Sequence, residues 1–217
     1  MSTRRMQRLG HGRRGALLAA ALLLSAPTIE AQIKPVKRRN SSMDWVIAYC
    51  AEAVASAKRG YGDPQFGQSL GRLQGCGTDG ADAAAAALRS LRSVSDTTAL
   101  DSLTWNFQAW RDAVLFDAGL RLARNASATP ESRVFAIRYL YSTLLPHAGL
   151  LSYGAITRRC TVSGGSGGFG AGRPLASNYP DILRRLGNQL VDSAAVPLPV
   201  RAAAFCLATI PKGLAVP

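Results

Sequence analysis

Apolar residues between positions 111 and 145 recur at intervals of three, four and seven, which is the period of an amphipathic α-helix. The stripes on the two helices comprise Val114, Leu115, Ala118 and Leu122, and then Val134, Ile137, Tyr141 and Leu144. Asn125 is suited to end the first helix, and Pro130 is suited to the first turn of the second. The segment therefore predicts a helical hairpin with helices over 111–125 and 131–144.

A weaker copy of this hairpin is predicted near the end of the chain, with helices over 181–192 and 198–210. Further helices are predicted over 43–58, 64–74, 81–94 and from Ser95 or Asp96 to Trp110. The cluster Gly75–Gly80 is predicted to be a turn, and residues 146–157 fit either a short helix or an extended run. We therefore expect an all-α helical domain over 43–214.

The two hairpins share polar positions as well as apolar stripes. Asn125 precedes Pro130 by five positions, and Asp192 precedes Pro197 by five. Each second helix also carries an arginine three positions before an alanine, and these arginines are Arg133 and Arg201. Because one hairpin cannot cover both of its stripes, neighbouring hairpins are expected to stack and to bury the stripes jointly.

This pattern resembles HEAT-type helical repeats over about residues 64–211, and most clearly in the two C-terminal hairpins. In that family, an acidic or amide residue near the turn and an arginine in the second helix form a polar ladder between repeats. The resemblance implies a short α-solenoid in which Asn125 with Arg133, and Asp192 with Arg201, form the ladder. Helix 43–58 would cap its N-terminal end, and an irregular helical bundle is the alternative architecture.

The first 31 residues have the organisation of a signal peptide. Five arginines precede the apolar run Ala16–Ala26, which is too short to span a bilayer, and Ala31 offers a cleavage site before Gln32. The alternative is an anchor that is not removed. Cleavage would place the mature protein in the periplasm or outside the cell, with no transmembrane span.

The charge of the chain is strongly positive. It is +13 overall, and loss of residues 1–31 with five arginines and Glu30 leaves +9. Part of it lies in the predicted flexible arm 32–42, where four cations cluster at Lys34, Lys37, Arg38 and Arg39. Such a cluster suits an anionic envelope polymer or lipid, whereas an exported chain is not expected to meet nucleic acid. A solvated basic tail is the alternative.

Four cysteines, Cys50, Cys76, Cys160 and Cys206, indicate disulfides in an exported chain, and four cysteines allow three connectivities. In an open array the first and last helices lie far apart. A Cys50–Cys206 bridge is therefore disfavoured, because it requires the two Cα atoms to lie within about 7 Å of each other. The pairing Cys50–Cys76 with Cys160–Cys206 is therefore favoured.

The sequence offers little catalytic chemistry. Gly164–Gly168 matches the G-x-S-x-G motif around Ser166, but no histidine follows it and Pro174 disfavours the helix that a nucleophile elbow requires. The mature chain has a single histidine, His147, without ligand partners at useful spacing. No catalytic residue, cofactor or metal ion is predicted, and a serine-dependent hydrolase is the least favoured function.

The glycine-rich segment 161–173 is the candidate contact loop. Arg158 and Arg159 precede it, Arg173 ends it, and Phe169 lies within it; long loops in compact domains are usually functional or disordered. An insertion without a partner is the alternative. The expected function is that of an exported, non-catalytic helical-repeat scaffold for an unidentified protein partner, and binding to an anionic envelope surface is the alternative function.

Overall fold

The computed structural model describes residues 41–108, 110–144 and 172–214, with side chains from Asp44 onward and without that of Trp105. This part of the chain is all-α and contains no β-strand. Its helices are α1 Ser41–Arg59, α2 Phe66–Leu73, α3 Gly77–Ser90, α4 Thr97–Phe107, α5 Ala113–Arg124, α6 Pro130–Ser142, α7 Tyr179–Asp192 and α8 Leu198–Ala208. The predicted fold class is confirmed.

Short polar side chains begin three of these helices. The carboxylate of Asp96 accepts a hydrogen bond from the Ala99 amide (3.1 Å) at the start of α4. Asp112 begins α5 in the same way, and Thr129 begins α6 with Pro130 in the first turn. Because these side chains satisfy amides that a helix leaves without partners, they define where α4, α5 and α6 start.

The helices stack as two layers beside an N-terminal pair. First helices pack on each other, since α3 contacts α5, and second helices do the same, since α4 contacts α6 and α6 contacts α8. α1 and α2 pack together and against α3. α3 contributes a run of five fully buried alanines, Ala81, Ala83, Ala84, Ala85 and Ala87. These small side chains allow its neighbours on both sides to approach closely.

The junction between successive hairpins is a hydrogen-bonded cap. The Thr129 hydroxyl donates to the Val94 carbonyl (2.6 Å), and the Thr129 amide donates to the Arg92 carbonyl (3.0 Å). The buried Ser132 hydroxyl reaches the carbonyls of Leu91 and Val94. The start of α6 therefore satisfies carbonyls at the end of the 3₁₀ turn Leu91–Ser93, which follows α3.

The hairpins α5–α6 and α7–α8 correspond when positions are shifted by 68. This shift pairs Arg133 with Arg201 and Gly119 with Gly187. The same shift relates the last residues of α5 and α7, Arg124 and Asp192. It pairs Asn125 with Ser193, so the sequence alignment of Asn125 with Asp192 was wrong by one position. The prolines misled that alignment because Pro130 starts α6, whereas Pro197 precedes α8.

Other sequence expectations fail at element ends. The predicted turn Gly75–Gly80 is largely the first turn of α3, and Gly80 is required there because a Cβ would lie 2.1 Å from the Leu73 carbonyl oxygen. α3 ends at Ser90 rather than Val94. At the start of α1, Trp45, Val46 and Ile47 are 63%, 47% and 62% exposed.

The disulfide Cys50–Cys76 is confirmed, with Cα atoms 5.5 Å apart, and it ties α1 to the start of α3. Cys206 is also disulfide-bonded, while Cys160 lies outside the described residues, so the Cys160–Cys206 bridge stays a prediction. No helix in the described ranges is both long and apolar enough to cross a membrane.

Candidate functional site

Arg173, a predicted contact residue, is half-buried, and its guanidinium pairs with two aspartates. Its Nη2 donates to Asp82 Oδ1 (2.6 Å), and its Nε donates to Asp112 Oδ2 (3.1 Å). The Arg173 amide donates to the same Asp112 oxygen (2.8 Å). Arg173 therefore fastens the chain to α3 and α5, and its contact with a partner stays a prediction. Arg158, Arg159 and Phe169, together with Ser166 and His147, lie outside the described residues.

Asp112 is the centre of this cluster, and its side chain is fully buried. Burial opposes its ionisation, but hydrogen bonds from Arg173 and from the Leu115 and Val114 amides lower the net pKa of the carboxyl below its ordinary value. Tyr139 lies nearby and donates to the Trp110 carbonyl (3.2 Å). Burial, and then the Asp112 charge, raise the pKa of Tyr139. The oxygens of Asp112 are thus occupied in holding α5, which is a structural role.

The predicted ladder arginines do form hydrogen bonds, but with different partners. Arg133 Nε donates to the Ala123 carbonyl (3.0 Å), and Arg201 Nε donates to the Val191 carbonyl (3.1 Å). Each arginine therefore binds the last turn of the preceding helix in its own hairpin. Burial lowers the pKa of Arg133.

The acidic and amide members of the ladder lie elsewhere. The side-chain Oδ1 of Asn125 accepts from the amide (3.0 Å) and the hydroxyl (2.7 Å) of Ser127 within the turn, and Asp192 is exposed at the end of α7. The ladder pairing is corrected accordingly, because Arg133 and Arg201 bind helix-end carbonyls, while the Asn125 side chain bonds within its own turn.

A groove with a cavity volume of about 290 Å³ lies on the layer of second helices, and it is the candidate functional site. α4, α6 and the start of α8 provide its walls. The lining side chains are Thr97, Leu100, Asp101, Glu131, Val134, Phe135, Arg138 and Pro199. We call this feature the second-helix groove.

The second-helix groove has an apolar base and a charged rim. Leu100 and Phe135 are each 3% exposed, whereas Arg138 and Asp101 are exposed and joined by an ion pair (2.7 Å). An exposed ion pair of this kind contributes at most about 1 kcal/mol, so it can open at little cost. The arrangement suits apolar side chains of a partner together with its polar backbone or charged groups. Within the described ranges, no cluster of three metal-ligating side chains occurs.

The chain matches no family model, and neither a curated protein nor a solved structure is similar to it.

The sequence pattern indicated the apolar residues of the groove but not the groove itself. Val134 lies on the apolar stripe predicted for its helix. A stripe predicts that a face packs against a neighbour, and it does not report where that face is left partly uncovered. The groove residues come from α4, α6 and α8, which are about 30 to 100 residues apart in the chain, and one-dimensional periodicity does not encode contacts at such separations.

Proposed function

We propose that this chain is an exported, non-catalytic, HEAT-like helical-repeat protein that binds another protein through the second-helix groove. The observation that supports this most is the groove itself, which lies across three successive second helices. Stacked hairpins commonly present such an extended surface to partners. The side chains that line it are suited to binding, because an apolar base with a charged rim can hold apolar and polar groups of a partner.

The shape of the groove indicates the kind of partner. Its volume of about 290 Å³ is at the low end for a ligand pocket and accommodates two or three apolar side chains. Val134 and Pro199 offer apolar contacts, and Glu131, Asp101 and Arg138 provide polar partners around them. An extended or helical segment of a protein, inserting apolar side chains between charged ones, is the occupant that this surface fits.

Site-specific photocrosslinking tests this proposal. With a photoreactive amino acid at Arg138 we expect a crosslinked partner, and with the same residue at Arg121 we expect none. The two sites are matched, since both arginines are exposed and both pair with an aspartate, but Arg121 lies on α5, outside the groove.

A matched pair of substitutions makes the test specific. Thr97→Glu, made in the protein that carries the photoreactive residue at position 138, places a charge in the groove. It should reduce the yield of the crosslink at least about tenfold, which corresponds to a loss of roughly 1.4 kcal/mol of binding free energy. Thr78→Glu, in the exposed first turn of α3, should leave it unchanged. Equal yields of the crosslink in Thr97→Glu and Thr78→Glu would reject the groove as the binding site. Loss of the crosslink in both variants above about 0.5 M salt would favour binding to an anionic envelope surface.

The proposed export is supported by the Cys50–Cys76 disulfide, since such bridges persist mainly in oxidising compartments. We expect the secreted protein to begin at Gln32, because Ala31 ends the segment that resembles a signal peptide. Intact-mass and N-terminal peptide analysis of the exported protein measures this directly. Recovery of Met1–Ala31 peptides from the exported fraction would contradict the prediction.

A further inference from the structure

The outer face of α8 presents large apolar side chains to solvent. Leu198 is 73% exposed and Phe205 is 56% exposed, and the exposed Ala202 lies between them. These residues are four and three positions apart, so they form one stripe along α8. Large apolar side chains exposed together on one helix face are informative, because such surfaces commonly mark sites of association.

The internal repeat shows what covers the equivalent face one hairpin earlier. With the shift of 68 positions, Leu198, Ala202 and Phe205 correspond to Pro130, Val134 and Ile137 of α6. Ile137 is only 1% exposed, Pro130 and Val134 are half-buried, and α6 packs against α8. α6 therefore has a following helix packed on it, and its stripe is partly buried, whereas α8 has no following helix in the described part of the chain. The exposed stripe on α8 is therefore suited to packing against another helix.

We propose that the helix covering this face is α8 of a second copy of this chain, packed antiparallel across a two-fold axis near Ala202. The small Ala202 side chain permits close approach at the crossing point. In this arrangement Leu198 of each copy meets Phe205 of the other. Leu198, Ala202 and Phe205 thus form a self-complementary stripe, which an isologous dimer requires.

Charges at the two ends of α8 favour the antiparallel orientation. Exposed Asp192 ends α7 close to the start of α8, and exposed Lys212 follows the end of α8. Antiparallel packing brings Lys212 of one copy to the end of the pair where Asp192 of the other copy lies. A parallel pair would instead place like charges together at each end, which opposes association.

The expected dimer is weak. One helix face on each copy buries less than the roughly 800 Å² per partner of a standard interface. We therefore expect a dissociation constant of about 10–100 μM. Sedimentation velocity on the chain from Gln32, which contains the complete compact unit Arg39–Pro217, should show a concentration-dependent monomer–dimer equilibrium in that range.

Substitutions on the stripe should abolish this equilibrium. Phe205→Glu and Leu198→Glu are each expected to weaken dimerisation by at least about tenfold. Ile47→Glu is the matched control, because Ile47 is 62% exposed on α1, at the other end of the array. Circular dichroism should show the same helix content in all three variants, since each position faces solvent. Dimers that persist in Phe205→Glu, or that dissociate in Ile47→Glu, would overturn the proposal.

Crosslinking tests the orientation. Ala202→Cys should form an intermolecular disulfide on mild oxidation, whereas Gln189→Cys, at an exposed position of α7, should not. The charge reversal Asp192→Lys should weaken the dimer, and the double variant Asp192→Lys with Lys212→Asp should restore it. A chain that stays monomeric at 200 μM (about twice the weakest expected dissociation constant) and gives no Ala202→Cys crosslink would refute a second copy as the occupant.

The self-association does not depend on the proposed partner binding. Thr97→Glu, which places a charge in the second-helix groove, should leave the monomer–dimer equilibrium unchanged. Loss of the equilibrium in Thr97→Glu would contradict the assignment of the dimer to the outer face of α8.

Discussion

Replacing Gly187 with alanine is expected to lower the free energy of unfolding by about 3 kcal/mol, at the upper end of the usual cost of overpacking. Gly187 lies in α7 where α8 crosses it, and a Cβ there would lie 2.2 Å from the Ala208 nitrogen and 2.6 Å from the Leu207 carbonyl carbon. Both atoms belong to the backbone of α8 or its immediate end, so no side-chain rotation can relieve the overlap. The two helices of the last hairpin would have to separate.

A graded series makes this prediction specific. Gly119, the equivalent residue in α5, would place a Cβ 2.9 Å from the Tyr139 ring, so Gly119→Ala should cost about 1–2 kcal/mol as the side chains adjust. Gly67→Ala is the control, because a Cβ in α2 meets only Leu103 Cδ2 at 3.9 Å, and alanine there should be neutral or stabilising by up to about 1 kcal/mol.

Thermal unfolding of the three variants measures the series. A loss of 3 kcal/mol corresponds to a fall of roughly 6–12 °C in a chain of this size. A Gly187→Ala variant that melts within about 2 °C of the parent protein would show that α7 and α8 are not in the close contact described here.

Periodicity predicted the helices well because it is a local property of the chain. The hairpin α5–α6 and its copy α7–α8 were both expected, and buried residues such as Leu115 and Ile137 lie on the predicted stripes. The register between the copies was wrong because prolines were used to align them. Gly119 and Gly187 would have corrected it, since both mark a close crossing of the two helices in their hairpin.

The candidate site was less predictable, for two physical reasons. The groove residues come from helices distant in sequence, and a partly uncovered stripe has the same pattern as a covered one. Arg173 was assigned to a partner because it flanks a glycine-rich segment. Its two carboxylate partners, Asp82 and Asp112, are brought to it only by the packing of α3 on α5.

The second large effect concerns Asp112, whose replacement by alanine is expected to lower the free energy of unfolding by about 3 kcal/mol. About 1 kcal/mol of this is the loss of the helix cap on α5. The remainder follows because Arg173 and its amide lose a buried acceptor, which typically costs 1–3 kcal/mol, or about 2 here. Asp112→Asn is the matched variant, since asparagine also caps helices but carries no charge, and it should cost about half as much.

Acid should remove the difference in the free energy of unfolding between the parent protein and Asp112→Asn. Because the folded-state pKa of Asp112 is lowered, its ionised form stabilises the fold above the ordinary pKa near 3.8, and that stabilisation is lost as the pH falls through the folded value. The charged and titratable groups around it are Arg173, which stays protonated, Asp82, and Tyr139, whose pKa is raised. Chemical denaturation from pH 7 to pH 3 measures the difference in the free energy of unfolding between the parent protein and Asp112→Asn. This difference should be constant above about pH 5 and should become smaller below pH 4. A gap that is already absent at pH 7 would mean that the Asp112 charge contributes nothing to holding Arg173 against α3 and α5.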